Sequence, residues 1–528
     1  MSEQLTKEAP PPVDADSQKF RSQVGHISRH SGVFFAGTIF TAAFGYVFKV
    51  YLARVLGAKN LGLYALGMTL VGFIGIFNTL GLPQSAVRFV ASYLAEGKFK
   101  QLHALLWRGA TVLLAGNVVL AGVLLGFGKV IAIRFYHSPA LVQYLPLFAL
   151  MMLFSVLNTF YSRVLSGYRD LKWRTLIMNF IGSPLNIIIA VALISLGMGL
   201  RGYLVAQVCS AAIICVLLVA AVWEFTPPQS RIFGQAGSNP DRQIWSYSAA
   251  MLGLGFLTFL TSQVDRIALG YYRGAREVGI YSVAASLVAY IPLALNSVNQ
   301  IFAPTIADLH TRGEHVLLAR LFQSLTKWVV GLTLPLGLVV VVFSRPLMRI
   351  FGGEFEIGWP ILIMGCIGQL VNCAVGSVGY LLVMSGNEKR LMKVQITMAV
   401  MMTVSSAALV PIWGIYGAAA AAALTNIGLN VLNLLQVRRA LGISPYNRSY
   451  WHLLLPTTAT LVLVLALKRY ATIFQHDWVA VGVAMVAAYG LFVAVFYLIS
   501  GLDADDRLIA SALRSRMRSA LGRSGAQA

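Results

Sequence analysis

The sequence predicts an all-α multi-pass membrane protein of about fourteen spanning helices. These form two pseudo-symmetric six-helix lobes around a central cavity, followed by two extra helices. Three observations lead there. Of 528 residues, 58% are hydrophobic and only 11% are charged, whereas a soluble domain carries about 25% charged residues. Apolar stretches recur along nearly the whole chain at roughly 20 residues each, the length a helix needs to cross hydrocarbon. The third observation is a repeat. Gly57-Ala58-Lys59-Asn60-Leu61-Gly62-Leu63-Tyr64 returns as Gly274-Ala275-Arg276-Glu277-Val278-Gly279-Ile280-Tyr281. Each copy follows an apolar run ending in a basic residue and precedes another apolar run.

The first six spans are placed at 32–56, 61–82, 104–127, 141–165, 175–198 and 202–223. Spans seven to twelve follow at 246–271, 279–303, 322–344, 358–384, 393–412 and 417–437. The last two lie near 451–467 and 478–500. Runs such as Leu336 to Phe343 lack the apolar–polar alternation of a barrel strand. The chain therefore divides into a cytoplasmic tail (1–30), a first lobe (31–224), a cytoplasmic linker (225–243), a second lobe (244–438), the two extra helices (439–500) and a basic tail (501–528). Pro227-Pro228 and the Gly/Ser/Asn/Pro run of 234–240 mark the linker. In the tail, Leu508, Ile509, Leu513, Met517 and Leu521 alternate with five arginines at helical spacing, the pattern of an amphipathic helix on anionic lipid.

The formal charge of +22 would suggest nucleic acid in a soluble protein. Here it reads as the inside-loop bias of membrane proteins, and no nucleic-acid partner is expected. With the N-terminus inside, 28 of the 41 lysines and arginines fall on the cytoplasmic side and 12 on the other, Lys49 lying within a span. Both termini are thus expected in the cytoplasm. No cleaved signal peptide is recognised. The four cysteines lie in apolar runs without CxxC spacing. Two further pairs extend the repeat. Leu165-Ser166-Gly167 matches Met384-Ser385-Gly386, and Gly199-Leu200-Arg201-Gly202 matches Gly414-Ile415-Tyr416-Gly417. Six spans separate equivalent points, so the lobes share one orientation and a cleft is expected between them.

A basic residue at mid-helix costs about 2.5–3.5 kcal/mol to insert, so such residues face an interior or a wet cavity. Lys49 in span one and Arg266 in span seven occupy the same place in the repeat. Snorkelling to the outer interface is the alternative for each, and the symmetric placement favours a cationic cavity. Asp265 is too short to snorkel and is expected to pair with Lys49 or another cation across the cleft. Arg54, nearer the span end, is either a further cavity cation or an interface anchor. The cavity lining is assigned to Asn78, Gln84, Gln263, Asn296, Asn299 and Gln300, with Asn158, Tyr161, Gln369 and Asn372 adding to it. Amides at these depths serve either as glue between helices or as contacts for a hydrated, sugar-like ligand. Arg88 and Asp308 follow spans two and eight and could close a cytoplasmic gate. No P-loop, HExxH or GxSxG motif and no long outer loop is present, so no catalytic residue and no metal site is assigned.

Several phrases resemble the polysaccharide-export flippases of the MOP superfamily (multidrug/oligosaccharidyl-lipid/polysaccharide), the Wzx/PST type. They are Leu52-Ala53-Arg54-Val55-Leu56-Gly57 with Gly62-Leu63-Tyr64, and Val264-Asp265-Arg266-Ile267-Ala268-Leu269-Gly270 with Gly279-Ile280-Tyr281. Phe351-Gly352-Gly353-Glu354-Phe355, Leu382-Val383-Met384-Ser385-Gly386 and Gly414-Ile415-Tyr416-Gly417-Ala418 complete the ordered set. The resemblance spans about residues 30 to 500. It implies alternating access around a cationic cavity and a substrate such as an undecaprenyl-diphosphate-linked saccharide. The saccharide moves from the cytoplasmic to the outer leaflet for surface polysaccharide export. It implies no enzyme activity and no cofactor, and leaves the coupling ion, H+ or Na+, open. Implied partners are the polyprenyl-diphosphate-linked saccharide, membrane lipids, and glycosyltransferases with a polysaccharide polymerase. The alternatives are a cation-coupled MATE-like drug exporter, a membrane glycosyltransferase or polymerase, and a scaffold without transport. The scarcity of deep carboxylates and of an acidic catalytic loop disfavours the first two.

Overall fold

A computed structural model describes residues 15–78, 82–168, 171–228, 242–470 and 476–500. Every regular element among them is helical, as a bilayer demands, because a helix satisfies its own backbone where no water can. The first lobe comprises α1 (Ala15–Asn78), α2 (Leu82–Ala95), α3 (Phe99–Val130), α4 (Leu145–Gly167), α5 (Leu171–Thr175), α6 (Ser183–Leu193) and α7 (Gly199–Phe225). The second comprises α8 (Arg242–Arg273), α9 (Ala275–Val288), α10 (Leu293–Thr311), α11 (His315–Val342), α12 (Ser344–Arg349), α13 (Trp359–Val375), α14 (Val378–Met384), α15 (Glu388–Trp413) and α16 (Ile415–Leu441). The closing pair is α17 (Leu454–Arg469) and α18 (Asp477–Val495).

Ten helical runs among the described residues are long and apolar enough to cross a membrane, or eleven with the bent pair α9–α10. Two of the ten are broken inside their length. The run 44–78 breaks at Gly57, and the run 173–225 breaks at Gly197 and Gly199. Each accounts for two of the expected spans, and α8 supplies a further one. Gly57 (φ 75°) and Gly274 (φ 83°) take the same left-handed conformation at the same place in the repeat. A side chain there would clash with its own backbone, so both copies open with glycine. The α9–α10 pair bends by 54° around Tyr290 and Pro292. Proline has no N–H to continue the helical ladder, and the chain kinks there.

The apolar core is distributed unevenly. At the end bearing the repeated phrase, here the repeat end, one continuous core joins both lobes through Leu56, Leu63, Phe148 and Tyr203 on one side and Ile280, Phe343, Phe351 and Phe355 on the other. At the opposite end it splits. One core holds Phe89, Leu105, Phe160 and Leu218 of the first lobe. A separate one holds Phe302, Leu321, Leu381 and Val437 of the second. The lobes are thus welded at the repeat end and separately packed at the other.

Several expectations fall outside the described residues: the N-terminal tail to residue 14, most of the linker (229–241), and the amphipathic tail 501–528. Lys327, within the expected ninth span, is 2% exposed inside α11.

Candidate functional site

Lys49 and Arg266 do come together. Lys49 projects from α1 of the first lobe, and its ammonium lies 5.4 Å from the ring centroid of Tyr290, at the α9–α10 bend of the second lobe. Arg266 on α8 is close enough that the two charges repel. Cation–aromatic contact stabilises an ammonium by about 0.5–2 kcal/mol without cancelling its charge. Arg266 donates from Nη1 to Gln263 Oε1 at 2.7 Å, and its Nε is buried with no partner. Neither cation has a carboxylate within ion-pair distance among the described residues. Two partly buried cations that repel each other with no carboxylate in ion-pair contact are costly. An anion between them would relieve that cost.

Asp265 does not take the expected partner. It is 6% exposed. One carboxylate oxygen accepts the hydroxyl of Tyr281, and the other accepts the backbone N–H of Arg266 at 2.8 Å. The reason is local packing: α9 folds back on α8 at Gly274 and delivers the tyrosine of the repeated phrase to the carboxylate. Asp265 therefore fixes the backbone beneath Arg266, and its charge acts on the guanidinium without an ion-pair contact. Tyr281 and Tyr290 were missed by sequence reasoning. Tyr281 could have been suspected, since it closes the second copy of the repeat.

The remaining assignments divide. Gln263 is in place, holding Arg266. On α10, Asn296 and Gln300 are exposed one turn apart, while Asn299 is 7% exposed with its Oδ1 unpartnered. An amide turned toward hydrocarbon loses several kcal/mol of hydration, so the exposed pair fits a watered cleft. Asn78 is instead buried in the first lobe: Asn117 Nδ2 donates to its backbone carbonyl at 3.1 Å, and its own Oδ1 is buried without a partner. Asn158 is glue, donating to the carbonyl of Ala211 at 2.9 Å. Gln369 and Asn372 bond each other at 2.9 Å. Gln84 lies on α2, and its side chain is outside the described residues.

Arg54 is exposed and donates from Nε to the carbonyl of Ile350 at 2.8 Å. It clasps the lobes at the repeat end rather than joining the cation pair. Asp308 is engaged by Arg312 one turn on, at 2.8 Å, and Arg88 lies over the ring of Phe89 at 5.8 Å. No group of three or more His, Cys, Asp or Glu side chains able to hold a metal occurs among the described residues.

Comparison with known proteins agrees with this architecture. Residues 27–310, more than half of the chain, match the family described as polysaccharide biosynthesis protein. The succinoglycan biosynthesis transport protein ExoT of Rhizobium meliloti (strain 1021) is 24% identical over 339 residues, covering 61% of this chain and 62% of that protein. The match thus spans under two thirds of that relative's length. The fold is similar to the lipid II flippase MurJ in an inward closed conformation, with a TM-score of 0.68, 15% identity, and coverage of 88% of this chain and 99% of that one. It is also similar to the inward-facing conformation of a multidrug resistance MATE family transporter of the MOP superfamily, with a TM-score of 0.60, 15% identity, and coverage of 75% and 94%.

Proposed function

The chain belongs to the polysaccharide biosynthesis protein family and has the fold of the MOP superfamily, and from that premise we propose that it is a flippase for a lipid-linked saccharide. The transporter class follows from family and fold. The substrate, the direction and the topology are our reading: a polyprenyl diphosphate carrying an oligosaccharide, moved from the cytoplasmic to the outer leaflet, with both termini in the cytoplasm. The observation that carries it is the pair Lys49 and Arg266, one from each lobe and neither in ion-pair contact with a carboxylate among the described residues. A diphosphate is a compact dianion that can accept from an ammonium and a guanidinium at once. Asn296 and Gln300 offer amides to sugar hydroxyls, while the prenyl chain stays in lipid.

Because the cations sit on opposite lobes, bound phosphate draws the lobes together at mid-depth. The split core at the opposite end leaves each lobe free to move there as a unit. Rocking about the pocket would then expose the ligand to either side in turn. Each charge-assisted contact is worth about 1.5–3 kcal/mol. Lys49→Ala and Arg266→Ala are therefore each expected to abolish surface polysaccharide in a complementation assay while the protein stays at normal level in the membrane. Normal polymer in both variants overturns this reading. A deletion strain that loses drug resistance but keeps its polymer would support the MATE-like alternative instead.

A further inference from the structure

The two copies of the repeated phrase meet at the repeat end, and they meet backbone to backbone. A methyl group added at Gly62 would overlap the carbonyl of Ala275 and lie 3.0 Å from the backbone nitrogen of Gly279. A methyl added at Gly279 would overlap the carbonyl of Ala58 and lie 2.9 Å from the backbone nitrogen of Gly62. The contact is reciprocal: the glycine of each copy touches the alanine of the other. Ala58 and Gly62 are one turn apart, as are Ala275 and Gly279. Each copy therefore carries a small-xxx-small face, the pattern that lets membrane helices approach closely. The contact itself is backbone on backbone, and side chains of the shared core such as Leu63 and Ile280 pack around it, so parting the seam also parts that part of the core.

A single carboxylate spans it. Glu354, from the second lobe's segment between α12 and α13, accepts the backbone N–H of Ala58 at 2.7 Å and lies 3.9 Å from the Nε of Arg276. It thereby holds the first residue after the Gly57 kink in one copy and a side chain of the other. An anion at the start of a helix is stabilised by the unpaired N–H groups there. Arg54, reaching the Ile350 carbonyl, adds a second clasp alongside.

We propose that this crossing is a latch: the Gly62–Gly279 seam, bolted by Glu354, shuts the repeat end of the molecule, and its parting opens the Lys49–Arg266 pocket on that side. The proposal rests on the rocking of lobes inferred above and is independent of the substrate's identity. It gives the repeated phrase a purpose, because only glycine at both positions permits closure. It makes Glu354 a positioning residue that sets how long the seam stays shut.

The test uses the full chain with its four cysteines replaced and one reporter, Gly45→Cys, one turn from Lys49. An impermeant maleimide is added to the outer face of intact cells. Labelling is expected to be low with the latch intact and to rise about tenfold with Gly62→Ala or Glu354→Ala. It should stay low with Gly75→Ala, whose added methyl meets open space. Equal labelling in all four chains overturns the latch. Should the glycine variant fail to accumulate, spin labels at Lys59→Cys and Tyr272→Cys provide a second readout. Two distance populations, with Glu354→Ala favouring the longer, support the latch; one unchanged distance overturns it. Polymer export is scored in parallel. Export lost with accessibility unchanged counts against the latch alone, whereas accessibility gained with normal export in Lys49→Ala counts against the saccharide reading alone.

Discussion

The two lobes carry the same phrase in different surroundings. In the first, Tyr64 lies among aromatic rings, 5.1 Å from Tyr203 and 6.3 Å from Phe148, and accepts from Gln207 at 3.1 Å. In the second, the equivalent Tyr281 donates to buried Asp265. The residue before the cation differs accordingly: Phe48, packed on Tyr51 and Tyr203, stands where the second lobe has Asp265. What the copies share is the cation, the left-handed glycine and the close-approach glycine. These are the parts that the proposed anion site and latch require of both lobes. The supports diverge, so that Arg266 stands on a hydrogen-bonded base while Lys49 rests on one aromatic face. In the proposed anion site, the second lobe would supply the rigid half and the first the adaptable half.

That contrast can be broken in graded steps. The largest effect is expected from Arg266→Glu, which puts a carboxylate where the ligand phosphate is to sit. Export should vanish, as scored by surface polymer. Next is Tyr281→Phe. It strips a buried carboxylate of its hydroxyl partner and should cost about 1–3 kcal/mol of stability, seen as a lower Tm in detergent. Tyr64→Phe removes only one neutral acceptor and should cost about 0.5–1.5 kcal/mol, so a shift equal to that of Tyr281→Phe would erase the distinction between the lobes. The smallest effect belongs to Arg312→Ala. Its exposed bond to Asp308 should contribute about 0.3–0.5 kcal/mol, with export near normal.

Much of this was legible in the sequence, for identifiable reasons. Hydropathy gave the helical class because a membrane leaves few other ways to satisfy a backbone. The repeat paired Lys49 with Arg266 because equivalent positions on duplicated helices fall at equal depth. The side-chain partners were less accessible. That Asp265 meets Tyr281 rather than a cation depends on how sharply α9 turns back at Gly274, which residue spacing does not encode. An amide such as Asn158 looks the same in sequence whether it lines a cleft or bonds a neighbouring helix, and only the position of Ala211 separates the two. Glu354 stood inside a recognised phrase, yet its role depends on a contact with a segment nearly 300 residues away (sequence separation 296).

The account stands on an anion seat shared between Lys49 and Arg266. Its most direct test is equilibrium binding of a short-chain polyprenyl diphosphate to the purified protein, compared with Lys49→Ala, Arg266→Ala and the double variant. Each single change is expected to weaken binding by about tenfold or more, the equivalent of about 1.4 kcal/mol or more, with the double variant no better than the weaker single. Affinity that is the same in all four proteins would contradict it.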